Sequence, residues 1–262
     1  MSILAAILLF CFVWVLISLV FYRKREDTVS VSSDHLSHTP STENPFFPPK
    51  ADEQEDVKYT VVDIQTNGLI EESGISPDPL QVSWMHLSED FSVLDHKTVL
   101  IRQDNLGPAE ARRVHKIGAD QLAKFGLGES DVCKMMSDAT GDGQTLVFYN
   151  AEFDVQVLCR MMRKHLSVEA FEVFARKKTI CVMRFEEHLL GQEYRYVKLP
   201  FLASSLTGIS QKSLEDHPVT SWRNVCLTRL CFKVLCERHD LHYPPPESLT
   251  KTACYYLKSA CE

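Results

Sequence analysis

Two apolar stretches of this chain each run straight into an aspartate, and that repetition limits the fold more than any other feature. "YTVVDIQTNGL" (59–69) begins as a buried β-strand and turns at Asn67–Gly68. Asp63 and Gln65, one residue apart on that strand, project to the same face. "LVFYNAEFDVQVL" (146–158) repeats the plan: a strand runs to Tyr149, turns at Asn150, and sets Asp154 on the first turn of the next helix. An acid at the carboxyl end of a strand lies where open α/β sheets build their sites. Each acid also has a plainer role, Asp154 as a first-turn residue favouring the helix dipole and Asp63 as a turn former.

The pattern around these two stretches is globular from Val57 onward. Strands are predicted over 57–64, 80–87, 93–102, 144–149 and 177–183, from alternation or short apolar runs. Helical spacing covers residues near 109–115, 129–138, 152–165, 199–206, 218–238 and 247–260. A three-strand meander followed by alternating strands and helices predicts an α/β fold, a mixed β-sheet flanked by helices.

The residues before Val57 are of two other kinds. "ILAAILLFCFVWVLISLVFY" (3–22) carries no charge and has the length of a helix crossing a hydrocarbon core of about 30 Å. Arg23, Lys24 and Arg25 follow it and no basic residue precedes it, so the positive-inside rule predicts a single-pass anchor with the globular domain in the cytoplasm. A cleaved signal peptide would want a basic start, a shorter apolar run and small residues before the cut. Residues 23–56, rich in Ser, Thr, Pro and acids, read as a juxtamembrane linker with too little apolar surface to order itself. The domain proper is 57–262, with 239–262 as a C-terminal extension.

With 28 basic against 35 acidic residues the chain has a formal net charge of −7, which argues against a strong non-specific nucleic-acid binder but not against a local groove. Nine cysteines contain no CxxC pair, so zinc ligation is not indicated and free thiols in a reducing compartment are the plain reading.

Taken in order, the two acid-bearing stretches resemble the DEDD exonucleases of the proofreading-subunit type, which have an RNase H-like fold. The family's first motif, D-x-E-T-T-G-L, is matched by "DIQTNGL" (63–69). Its second, H-N-x-x-F-D, is matched by "YNAEFD" (149–154), with Asn150, Phe153 and Asp154 in place. Its third, H-x-A-x-x-D, is matched in part by "HPVTSW" (217–222). "VHKIGADQL" (114–122) and "KLPFLASSLTGI" (198–209) resemble two intervening family segments.

The resemblance implies two divalent metals, Mg²⁺ or Mn²⁺, held by four carboxylates, one activating water and one stabilising the leaving 3′-oxygen. It implies Asp63 and Asp154 as metal ligands, His217 as the base acting on water, and Thr66, Asn67 and Leu69 as contacts to a terminal nucleotide. Gln65 stands where the second acid should be, and Trp222 where the last should be. Hard cations prefer charged oxygen ligands, and an indole offers only an N–H donor. The site is therefore expected to be degenerate, with one weak metal site or none. Asn224, two residues past Trp222, is turned about 200° away on a helix and is not expected to rescue it. Trp222 would fill the vacated space or offer a stacking surface to a base.

Three functions follow as expectations. The first is a membrane-tethered exonuclease-like domain that binds single-stranded nucleic-acid 3′ ends, DNA or RNA, with weak or lost phosphodiesterase activity. The second is a working metal-dependent 3′–5′ exonuclease or oligonucleotidase with a variant site. The third is a non-catalytic membrane scaffold for a protein partner.

Overall fold

The computed structural model of the chain describes residues 56–70, 76–141, 143–185, 187, 196–215, 219–241 and 247–248. The apolar segment 3–22, the linker through residue 55, His217 and most of the C-terminal extension lie outside the described residues.

Six strands form one sheet: β1 (Tyr59–Thr66), β2 (Pro79–Leu87), β3 (Val93–Leu100), β4 (Thr145–Phe148), β5 (Lys178–Cys181) and β6 (Glu247–Ser248). Their order is β3-β2-β1-β4-β5-β6. The β1–β2, β2–β3 and β5–β6 pairs are antiparallel, and β1–β4 and β4–β5 are parallel. This is the mixed sheet anticipated from a meander followed by crossovers. β1 is central and buried along nearly its whole length, which is why its apolar run shows little polar alternation.

Eight helices lie among the described residues: α1 (Ala109–His115), α2 (Ala119–Phe125), α3 (Glu129–Ala139), α4 (Ala151–His165), α5 (Val168–Ala175), α6 (Leu199–Thr207), α7 (Gln211–Glu215) and α8 (Ser221–Arg238). The short helices α2, α5 and α7 were not anticipated, because seven, eight or five residues give too little apolar periodicity to read. The helix expected over 247–260 is corrected at its start, where Glu247 and Ser248 pair with β5 instead. The helix expected from 218 starts at Ser221, because the Thr220 hydroxyl accepts a hydrogen bond from the Arg223 N–H at 3.1 Å and caps it.

Side-chain alternation splits the core into two layers. Val62 and Ile64 of β1 join Val82, Trp84, Leu146 and Phe148 beneath α3 and α4. Tyr59 and Val61 join Met85, Leu87, Val147 and Tyr149 beneath α6 and α8. Asp63 and Gln65 continue the second series, so their side chains face the α8 side of the sheet. The far end of α8 is held there by an aromatic cluster. Phe232 meets Tyr59 and Phe91 edge-on, with ring centroids 5.1 and 5.3 Å apart. Burying one such ring stabilises the fold by about 2–3 kcal/mol. Phe91 adopts φ 68°, and its carbonyl accepts from Arg229 Nη2 at 2.9 Å.

Candidate active site

The site lies where β1 ends. Gln65 Nε2 donates to Asp63 Oδ2 at 3.0 Å, an arrangement allowed by their common face. The pairing of β1 with β2 shifts register between Gln65 and Thr66, and the chain turns there, with the Thr66 hydroxyl donating to the Gly68 carbonyl at 2.7 Å. Asp154, on the first turn of α4, is buried and accepts from the Ile64 N–H at 3.3 Å. The two acids that the two strand ends predicted are therefore brought together.

The third element is α8, and its docking decides what joins them. Ser221 is fully buried. Its hydroxyl lies 2.6 Å from that of Ser83, and its N–H and hydroxyl both donate to Gln81 Oε1 at 3.0 and 2.9 Å. Gln81 and Ser83 are the β2 partners of Gln65 and Asp63. One turn later on the same face of α8, Asn224 Nδ2 reaches Asp63 Oδ2 at 3.4 Å.

This reverses the expected roles of two residues. Asn224, expected to point away, faces Asp63. Trp222, expected to fill the site, is turned along the sheet and lies against His96 of β3, ring centroids 4.5 Å apart. The reason is steric: a serine, not an indole, fits where the helix meets the strands. In the resembling family's third motif a small residue precedes the last acid by three positions. Here that pattern is met by Ser221 and Asn224, within "VTSWRN" (219–224). Val219 then occupies the histidine position, and the match to "HPVTSW" is out of register by two residues. His217, the predicted base, lies outside the described residues.

The remaining predicted contacts divide. Asn67 is buried and fully engaged: its Nδ2 donates to Asp78 Oδ2 at 3.2 Å and the Asn105 carbonyl at 3.1 Å, and its Oδ1 accepts from the Asp78 N–H at 2.8 Å. It clamps two loops and has no amide hydrogen left for a nucleotide. Leu69, three residues past the end of β1, is 81% exposed. Asn150 is the N-cap of α4 without a side-chain cap bond. Phe153 packs partly into the first core layer. Tyr149, in the family's histidine position, is buried and its hydroxyl donates to the Val197 carbonyl.

Burial pushes the Asp63 carboxyl up to about 7, although the Gln65 and Asn224 hydrogen bonds oppose it. Burial and the neighbouring Asp63 charge hold Asp154 well above the usual carboxylate range. The donor set consists of two carboxylates and two amides. A carboxylate oxygen only accepts, so both amides turn N–H groups toward Asp63, not oxygens. Among the described residues no group of three His, Cys, Asp or Glu could hold a metal. These residues do not fit a pair of divalent cations, which needs clustered anionic oxygens. Ser221, Gln81, Ser83 and Asn224 were missed by sequence reasoning. The signal for them was the small-x-x-polar spacing of Ser221 and Asn224.

No protein-family model matches the chain, and no curated protein matches it. Solved structures do resemble it. Exonuclease I from Methylocaldum szegediense aligns at 17% identity and TM-score 0.57, over 70% of this chain and 41% of that one. The zinc-bound E. coli exonuclease I–single-stranded DNA complex aligns at 16% and 0.57, over 71% and 42%. A chain of the yeast NOT1 MIF4G domain co-crystallized with CAF1 aligns at 14% and 0.53, over 75% and 85%. The chain spans about two fifths of the exonuclease I chains. The described domain shares its fold with these exonuclease I structures.

Proposed function

We propose that this domain binds the 3′ end of single-stranded nucleic acid and does not cleave it. The observation that carries this reading is the pair of amides: Gln65 and Asn224 both meet Asp63 where the resembling family has acids. Two of four negative charges are gone, and Val219 cannot take a proton from water. A cleft relieved of those charges repels a phosphodiester less than four carboxylates would. Leu69, exposed on the turn that follows β1, offers apolar contact to a terminal base. Exonuclease I complexes with single-stranded DNA on the same fold support the ligand class. The uncharged segment 3–22 and its basic flank support tethering at the cytoplasmic face of a membrane.

The test is anisotropy of 5′-labelled single strands with free or blocked 3′ ends, alongside a cleavage assay with Mg²⁺ and Mn²⁺. Preference for the free end without product is expected. Rapid metal-dependent release of mononucleotides would overturn it, and absence of binding at low salt, where phosphate contacts are strongest, would favour the protein-scaffold role.

A further inference from the structure

The way Gln65 and Asn224 reach Asp63 indicates how the ligand is held. They come from different elements, β1 and α8, and end on the same oxygen, Asp63 Oδ2, at 3.0 and 3.4 Å. Two N–H groups occupy acceptor sites of that oxygen. Each amide differs from the corresponding acid by one terminal atom, so the shape of the cleft is kept while two acceptor oxygens give way to N–H donors and two negative charges are removed. An –NH₂ group carries two hydrogens, and the bond to Asp63 uses one. A phosphodiester oxygen is an acceptor only, and a neighbouring carboxylate repels it. In this cluster, the amide hydrogens are the groups suited to meet it.

We propose that Gln65 and Asn224 hold the terminal phosphodiester directly, through the second N–H of each amide, so that the site binds single-stranded nucleic acid without a divalent cation. This rests on the reading of the domain as a 3′-end binder. It differs from the resembling family, where cations held by the acids meet the phosphate. The docking of α8 supports it. Ser221 is anchored by three hydrogen bonds to Ser83 and Gln81, which keeps Asn224 one turn away in a fixed position.

The experiment uses the full chain in detergent and a 5′-labelled oligo-dT strand, titrated in excess EDTA and in Mn²⁺, with Mn²⁺ alone titrated into the protein by calorimetry. Wild type is expected to bind equally in both buffers, within about twofold, and to take up no Mn²⁺. Gln65→Glu with Asn224→Asp is expected to lose about tenfold or more in EDTA, the worth of one or two charge-opposed hydrogen bonds, to bind Mn²⁺, and to recover oligonucleotide binding with it. Gln65→Met with Asn224→Leu keeps the site uncharged but removes the donors. It is expected to bind weakly in both buffers, with a thermal melt confirming that it is folded. Binding by wild type only in Mn²⁺ would overturn the inference and leave the 3′-end reading standing. So would Met/Leu binding that matches wild type. Failure of wild type to bind the strand in either buffer would overturn the 3′-end reading itself, and the inference with it.

Discussion

The hydroxyl oxygens of Ser83 and Ser221 lie 2.6 Å apart, and this contact between β2 and α8 decides which side of the helix meets the acids. Both serines are fully buried. Ser83 also lies 2.7 Å from the Thr98 hydroxyl, so the contact is one step in a polar ladder from α8 across β2 to β3.

Enlarging Ser221 should therefore damage both stability and binding. Ser221→Leu forces an isobutyl group into a filled space and removes the hydroxyl that Ser83 and Gln81 both meet, leaving Gln81 only the backbone N–H. Overpacking of this kind costs about 1–3 kcal/mol, measurable by urea denaturation. Oligonucleotide affinity should fall with it, because Asn224 moves with the helix. Trp222→Phe, on the neighbouring position, should leave affinity unchanged.

Asp63 gives the fold a defined pH dependence. Its carboxyl is pushed from 3.8 up to about 7 by burial, so the folded chain holds the proton more tightly than the unfolded one. The stability this contributes is complete below about pH 4, falls as the pH rises to about 7, and is flat above. The span is about 4 kcal/mol at most. Asp63→Asn should flatten the profile and leave the variant more stable than wild type at pH 8 but not at pH 4.

Asn67 and Gly107 form a joint in the same way. Gly107 adopts φ +75°, and a β-carbon there would run into the Asn67 carbonyl. Gly107→Ala should destabilise by about 2–4 kcal/mol. Asn67→Ala, which leaves the Asp78 N–H and the Asn105 carbonyl without their side-chain partner, should cost about 1–3 kcal/mol. Hydrogen exchange should quicken first at Asp78 in either variant.

The helix that follows this joint predicts a salt effect. α1 and its C-cap expose Arg112, Arg113 and Lys116, and none of them has an ion-pair partner among the described residues. Its position is tied to the joint through His115, whose Nε2 lies 3.2 Å from the Leu106 carbonyl. With phosphates along this edge, Arg112→Ala with Arg113→Ala should lower the slope of log affinity against log salt by about 1.4, at 0.7 per phosphate on a single strand. Preference for a free 3′ end should persist.

How much of this could be read in advance differs by residue. The sheet and the acids at its two strand ends were legible, since β1 and β4 carry their apolar runs and turns within ten residues. Gln65 was legible as a departure because strand alternation alone puts it beside Asp63. Asn224 was not. Its direction depends on how α8 docks, and Ser221 against Ser83 and Gln81 sets the facing residue two positions past the one the motif match implied. A two-residue shift turns a helix by about 200°, enough to exchange the roles of Trp222 and Asn224. Asn67 was misread for a related reason: its partners Asp78 and Asn105 are up to 38 positions away, outside any local pattern.

Asp63 and Asn224 are 161 positions apart in the chain. Their meeting is a late event in synthesis, since α8 must emerge before the cleft has its third wall. A product that ends short of α8 would leave Tyr59 of the sheet and Phe91 of the β2–β3 turn without Phe232, and so would be sticky as well as unable to hold a strand end. Binding of an oligonucleotide thus reports completion of the fold, and the same helix that finishes the cleft also hides the surface that would mark the chain for removal.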